Sequence, residues 1–162
     1  MNLKTACSLF SGCGGDSLGM KNVGLTLTAY SELKQKFCET HDANFPDCEL
    51  MGNDITKVSD SRIEEFSGKT DVVFAGFPCQ AYSNAGKKDP DDPRNQLFNE
   101  FVRVTRICKP KVIIGENVKG LLSRKTKDGE SCISVIISAF EELGYDCVYK
   151  VLKASDYGVP QK

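Results

Sequence analysis

Apolar residues fall along this chain in short runs, and two spacings alternate. "DVVFAGF" (71–77) and "KVIIGENV" (111–118) are near-continuous apolar runs bounded by turn-forming residues, the pattern of strands buried on both faces. "TACSLF" (5–10) is a third run, broken by "SGCGGDSLG", whose tail opens a helix. "LTLTAYSE" (25–32) alternates and is rich in β-formers, and "CELMGNDI" (48–55) predicts a further strand. Between these runs the period lengthens to that of a helix. "LKQKFCETHDANF" and "SDSRIEEFSG" predict helices, the second opened by a Ser or Asp cap. "LFNEFVRVTRICK" sets apolar residues at 97, 98, 101, 102, 104 and 107, a helical spacing that Pro110 ends. "ESCISVIISAFEELGYD" predicts the last helix, stopped at Gly144, and "CVYKVLKAS" (147–155) a final strand. The polar stretch from Gln80 to Gln96, rich in Pro, Asp, Lys and Asn, predicts a long loop.

Repeated strand–helix units of this length require parallel strands with helical crossovers. The expected fold class is therefore α/β, a doubly wound, mostly parallel sheet. Such sheets bind ligands beyond the carboxyl ends of their strands, near the point where strand order reverses. The motifs below all fall at such ends.

Composition narrows the class. The 162 residues amount to one domain, with no repeat or linker, and 40% hydrophobic and 27% charged residues describe an ordinary globular chain. A formal charge of −1 supplies no global basic field, so a nucleic-acid partner would need a local patch or a second chain. No run approaches a membrane span, and the N-terminus lacks the apolar core of a secretion signal, so no membrane partner and an intracellular location (cytoplasm, nucleoid or nucleus) are expected. The eight cysteines then stay reduced; with no C-x-x-C pair and the single histidine His41, the sequence argues against a metal site. Most of these cysteines read as small core residues.

Candidate chemistry sits at the strand ends. Gly12, Gly14 and Gly15 in "LFSGCGGDSLG" permit a tight turn and close approach of a ligand, or only a structural turn. Glu32 ends the second strand 20 residues after Gly12, where an acidic residue bonds ribose hydroxyls; the alternative is a solvated helix cap. Asp54 closes the third strand and can accept from an adenine amino group, or simply cap a helix. Three such residues closing three successive strands point to an adenosine-containing cofactor. Cys79 follows Pro78 after the fourth apolar run and is either a nucleophile or a buried thiol at a strand end. Glu116, at the end of the neighbouring strand, would pair an acid with that nucleophile, its pKa raised by burial; the alternative is an ion pair with Arg94 or Lys119.

Taken in order, "LFSGCGG", "GFPCQAYSNAG", "DPRNQLF", "GENVKGLL" and "ASDYGVPQK" resemble the cytosine-5 DNA methyltransferases across essentially the whole chain. The resemblance implies the Rossmann-like fold of S-adenosylmethionine-dependent methyltransferases, incomplete at its C-terminal end. It implies that Cys79 attacks carbon 6 of a flipped cytosine while Glu116 protonates ring nitrogen 3, and that carbon 5 takes a methyl group from S-adenosylmethionine. Gln80, Ser83, Arg94 and Asn117 would serve the substrate side, with the 80–96 loop closing over the base. Phe10, Ser11, Gly12, Gly14, Glu32, Leu33, Asp54, Ile55, Gly76, Pro78 and Leu97 would line the cofactor.

Two departures from the family pattern are Leu33, where an aromatic is common, and Asn95, where a glycine is usual. A larger one is that "GVPQK" stops inside the next motif. The expectation is one methyltransferase part, residues 1–162, without a target-recognition domain, inactive alone and completed by a second polypeptide or a C-terminal segment. Alternatives are a non-catalytic cofactor-binding remnant and a methyltransferase acting on transfer RNA; a nicotinamide-dependent dehydrogenase fits least, given the imperfect glycine spacing and the Cys–Glu pair.

Overall fold

The computed structural model describes residues 2–78, 97–126 and 129–161, in two compact units, residues 1–118 and 119–162. The first unit is built on a five-stranded, all-parallel sheet: β1 (Thr5–Leu9), β2 (Thr26–Ser31), β3 (Glu49–Gly52), β4 (Val72–Ala75) and β5 (Val112–Gly115), in the order β3–β2–β1–β4–β5. Its helices are α1 (Gly15–Asn22), α2 (Gln35–Asn44), α3 (Asp60–Glu64) and α4 (Leu97–Cys108). The doubly wound α/β class expected from the sequence is the one observed. From β1 the chain steps outward to β3, then returns to place β4 against the other side of β1. Strand order thus reverses between β1 and β4, and their exits flank the ligand crevice of this architecture.

Burial follows position in the sheet. Central β1 is closed on both faces, with Ala6, Cys7 and Leu9 fully buried, as are Val73 in β4 and Val104 in α4. Each large apolar side chain taken out of water there contributes about 1.5–3 kcal/mol. The cysteines mostly pack as hydrophobes: Cys7, Cys38, Cys48, Cys108 and Cys132 are buried, while Cys13 is exposed. Burial pushes the Cys48 thiol up to about 12 and Cys108 to about 11, which keeps both protonated. Ser59 caps α3 by accepting from Arg62 N, the capping expected from the sequence.

The chain's single histidine, His41 of α2, is sealed inside this unit with no exposed surface. Its ring stacks on Tyr30 at 3.7 Å, and Nε2 lies 3.0 Å from Ser17 Oγ. Burial pushes its pKa down, so the ring stays neutral.

The second unit holds α5 (Cys132–Glu141) between 3₁₀ turns at Lys119–Ser123 and Ala154–Tyr157. One expectation fails here: residues 147–155 form no strand, and Val148 is 97% exposed. Alternating apolar residues suit a strand, but a strand's backbone groups need a neighbour to pair with, and none pairs with this segment among the described residues.

Candidate cofactor and catalytic site

The loop after β1 is bent by left-handed backbone. Phe10 takes φ 58°, uncommon for a residue with a side chain, and Gly12 and Gly14 follow at 54° and 92°. Strain held at a non-glycine residue on a strand tip is a mark of functional loops. Gly14 also needs its missing side chain: a Cβ there would stand 2.5 Å from the Phe45 ring. At Gly12 a Cβ would meet nothing within 4 Å, so the space beside it is open.

Hydrogen bonds tie this loop to the next strand tip. Ser11 N donates to Ser31 O at 3.1 Å, and Gly12 N donates to Glu32 Oε2 at 3.0 Å. Glu32 Oε1 accepts from Lys34 N at 2.9 Å. Among the described residues, the buried Glu32 carboxylate accepts at two of its roughly four positions, from these amides, which leaves capacity for a diol. Ser11 Oγ is buried without a hydrogen-bond partner among the described residues. An orphaned hydroxyl beside an open glycine and an under-used carboxylate fits a polar ligand at this rim.

Asn53 Nδ2 donates to Glu32 O at 3.3 Å, and Ser31 Oγ to Gly52 O at 2.7 Å, which links β2 to β3. Asp54 lies just beyond β3 and caps the 3₁₀ turn Ile55–Lys57, accepting from Thr56 Oγ1 at 2.7 Å and pairing with Lys57 at 3.2 Å. These contacts, the Thr56 hydroxyl first, hold its carboxyl below the usual range. The capping alternative is therefore what Asp54 does in this structure, with its carboxylate still ionised. Ile55 is buried, and Leu33 is 67% exposed.

On the other side of β1, Gly76 N donates to Leu9 O at 3.4 Å and Glu116 N donates to Ala75 O at 2.9 Å. A Cβ at Gly76 would stand 3.6 Å from Glu116 Oε2, so the carboxylate leans over the β4 exit. Glu116 is exposed, so the burial invoked for it from the sequence is not in place. Asn117 Nδ2 donates to Phe77 O at 3.0 Å, and its Oδ1 accepts from Val118 N at 2.9 Å. Asn117 thus joins the two strand exits. Phe77 is further held by its ring, packed 6.0 Å from Phe98 and 6.2 Å from Phe101. Gly76 and Pro78 are half-buried on this exit, and Leu97 opens α4. Cys79, Gln80, Ser83, Arg94 and the 80–96 loop lie outside the described residues.

The structure brings Phe10, Ser11, Gly12, Gly14 and Glu32 together at the β1–β2 tips, and Gly76 and Glu116 at the β4–β5 tips. The ties made by Asn53 and Ser31 escaped sequence reasoning; an Asn beside Asp54 was the only signal for the first.

The C-5 cytosine-specific DNA methylase family matches residues 5–162. The chain is 43% identical to the type II methyltransferase M1.HphI of Haemophilus parahaemolyticus, over 97% of its own length and 43% of that protein. It is 40% identical to M.XorII of Xanthomonas oryzae pv. oryzae, covering 94% of itself and 37% of that relative. It therefore spans about two fifths of the curated relatives it matches. A solved DNA modification methyltransferase encoded in an E. coli prophage superposes with a TM-score of 0.78 at 31% identity, over 97% of this chain and 43% of that one. The fold, the rim of strand ends and a match over residues 5–162 lead to one assignment: the chain belongs to the C-5 cytosine-specific DNA methylases.

Proposed function

We propose that this chain binds S-adenosylmethionine, the cofactor of its family, and carries the reacting residues that methylate carbon 5 of cytosine in DNA. The observation that carries the reading is the Glu116 carboxylate leaning over Gly76, three residues before Cys79. Ser11 Oγ, Gly12 and the spare lone pairs of Glu32 would receive the ribose end of the cofactor, and Ile55 would face its adenine. Bound there, the cofactor supplies an activated methyl group.

Carbon 5 of cytosine is too electron-poor to take that group until a nucleophile adds next door. Cys79, a few per cent thiolate at neutral pH when unperturbed, would add its sulfur to carbon 6. Glu116 would hold and protonate ring nitrogen 3, drawing charge from the ring as the C–S bond forms. Loss of the carbon-5 proton to a base would then expel Cys79. Asn117, already bonded to Phe77 O and Val118 N, would act by tying the exits together more than by touching the base.

Turnover on duplex DNA would need a complementing segment, in this chain or in a second polypeptide. The relatives are more than twice as long, and β5 ends the described sheet with Ile114 43% exposed. No described helix is long and apolar enough to cross a membrane.

The test is a covalent trap. Duplex DNA containing 5-fluorocytosine, mixed with cofactor and the protein supplied with its complementing segment, is expected to give an adduct stable to denaturation. The adduct should vanish in Cys79→Ser. Failure of the wild-type complex to form it would refute the reading.

A further inference from the structure

Arg103, in the middle of α4, uses every donor of its guanidinium. Nε donates to Glu100 Oε2 at 2.9 Å, and Nη2 donates to the same oxygen at 2.6 Å and to Ile55 O at 2.8 Å. Nη1 donates to Asp60 Oδ1 at 2.5 Å and to Val58 O at 3.0 Å. The two backbone carbonyls bracket the turn that follows Asp54. Within the turn, Lys57 N donates to Asp54 O at 2.9 Å and Val58 N to Ile55 O at 3.2 Å, and the Asp54 carboxylate holds Thr56 and Lys57. All of these bonds are local, so none ties the turn to the rest of the unit. The partners lie 45 and 48 residues away in sequence, so the side chain joins two separate parts of the first unit. One part carries Asp54 and Ile55; the other is the helix that begins at Leu97.

We propose that Arg103 is a positioning residue for the adenine side of the cofactor site: it fixes the Asp54–Val58 turn against α4 at the spacing the ligand requires. This rests on the reading that S-adenosylmethionine binds at this rim. The guanidinium is suited to the task because its planar fork reaches both carbonyls and both carboxylates at once. A lysine ammonium has three donors on one atom and cannot span the turn.

The experiment compares Arg103→Lys and Arg103→Met with Asp71→Asn. Asp71 sits at the opposite rim of the sheet, where it accepts from Lys4 N at 2.7 Å and Thr5 N at 3.2 Å, and its variant serves as a control that loses hydrogen bonds away from the ligand rim. Calorimetry gives the dissociation constants of S-adenosylmethionine and S-adenosylhomocysteine, urea unfolding gives stability, and hydrogen exchange reports the Lys57 and Val58 amides. Arg103→Lys is expected to weaken both ligands by about tenfold, the scale of one charge-assisted hydrogen bond, and Arg103→Met by more. Exchange at Lys57 and Val58 should quicken in both, while Asp71→Asn lowers the urea midpoint and leaves affinity unchanged. Unchanged affinity in the Arg103 variants would overturn the proposal, as would an equal loss in Asp71→Asn or a loss confined to the sulfonium ligand. Should Arg103→Met not fold, Arg103→Lys carries the comparison. A wild-type protein that binds neither ligand refutes the cofactor reading and this role with it; faster exchange in Arg103→Lys would then identify a purely structural clamp.

Discussion

The backbone N–H of Gly12 donates to Glu32 Oε2 at 3.0 Å, which fastens the loop after β1 to the tip of β2 through a buried carboxylate. The bond serves the fold before any ligand arrives. Glu32→Ala leaves the Gly12 and Lys34 amides without their acceptor, so stability should fall by about 1–3 kcal/mol in urea unfolding. Glu32→Gln keeps the shape but turns one acceptor into a donor facing an N–H. Its S-adenosylmethionine affinity, measured by calorimetry, should fall at least about tenfold, the scale of one hydrogen bond to a charged group.

Gly14 and Gly12 should respond to alanine in different ways. At Gly14 the methyl would enter the Phe45 ring at 2.5 Å from a backbone at φ 92°. Thermal unfolding should show a loss of about 2–4 kcal/mol from left-handed strain plus overpacking. At Gly12 the methyl meets no protein atom within 4 Å, so the loss should be confined to backbone strain of about 1 kcal/mol. Cofactor affinity in Gly12→Ala should nonetheless drop more than stability does, because the open space beside it is where a ligand would lie.

Asp71 sets an acid limit on stability. A side-chain bond from Lys111, then the backbone amides of Lys4 and Thr5, hold its carboxyl at about 2, below the usual value of 3.8. A carboxyl with a lowered folded pKa stabilises the fold fully above its unfolded pKa, and that contribution is lost as pH falls through the folded value. The difference in urea midpoint between wild type and Asp71→Asn should hold above about pH 4 and close on the way down to about pH 2.

At the reacting rim, Cys79→Ser should abolish methyl transfer and leave S-adenosylmethionine affinity intact. Glu116→Gln should slow formation of the 5-fluorocytosine adduct by about a hundredfold or more, the usual reach of general acid catalysis. Asn117→Ala, which releases Phe77 O, should slow the adduct less and leave cofactor affinity unchanged; single-turnover kinetics would rank the three.

The strands of the first unit were legible because each is either a solid apolar run or a clean alternation, and burial in a parallel sheet demands just that. Glu32 and Gly12 were legible through their 20-residue separation, which the sheet topology converts into a contact. Val148 to Leu152 misled: their alternation satisfies a strand's side chains, while its backbone must be satisfied by a neighbour that local sequence does not name. Glu116 was placed correctly at a strand tip but expected to be buried, and exposure depends on what surrounds the tip. Arg103 could not be found from sequence, since an arginine on a helix looks like a solvated charge until the fold brings Ile55 O and Val58 O to it.

His41 gives the molecule a built-in reporter. With no exposed surface and no second imidazole in the sequence, it can be acylated by diethyl pyrocarbonate only when the packing of α2 against Tyr30 and Ser17 opens. The rate at which the imidazole itself is modified therefore times the local breathing around α2, the helix that follows Glu32, and a ligand clamping that strand tip should slow the clock.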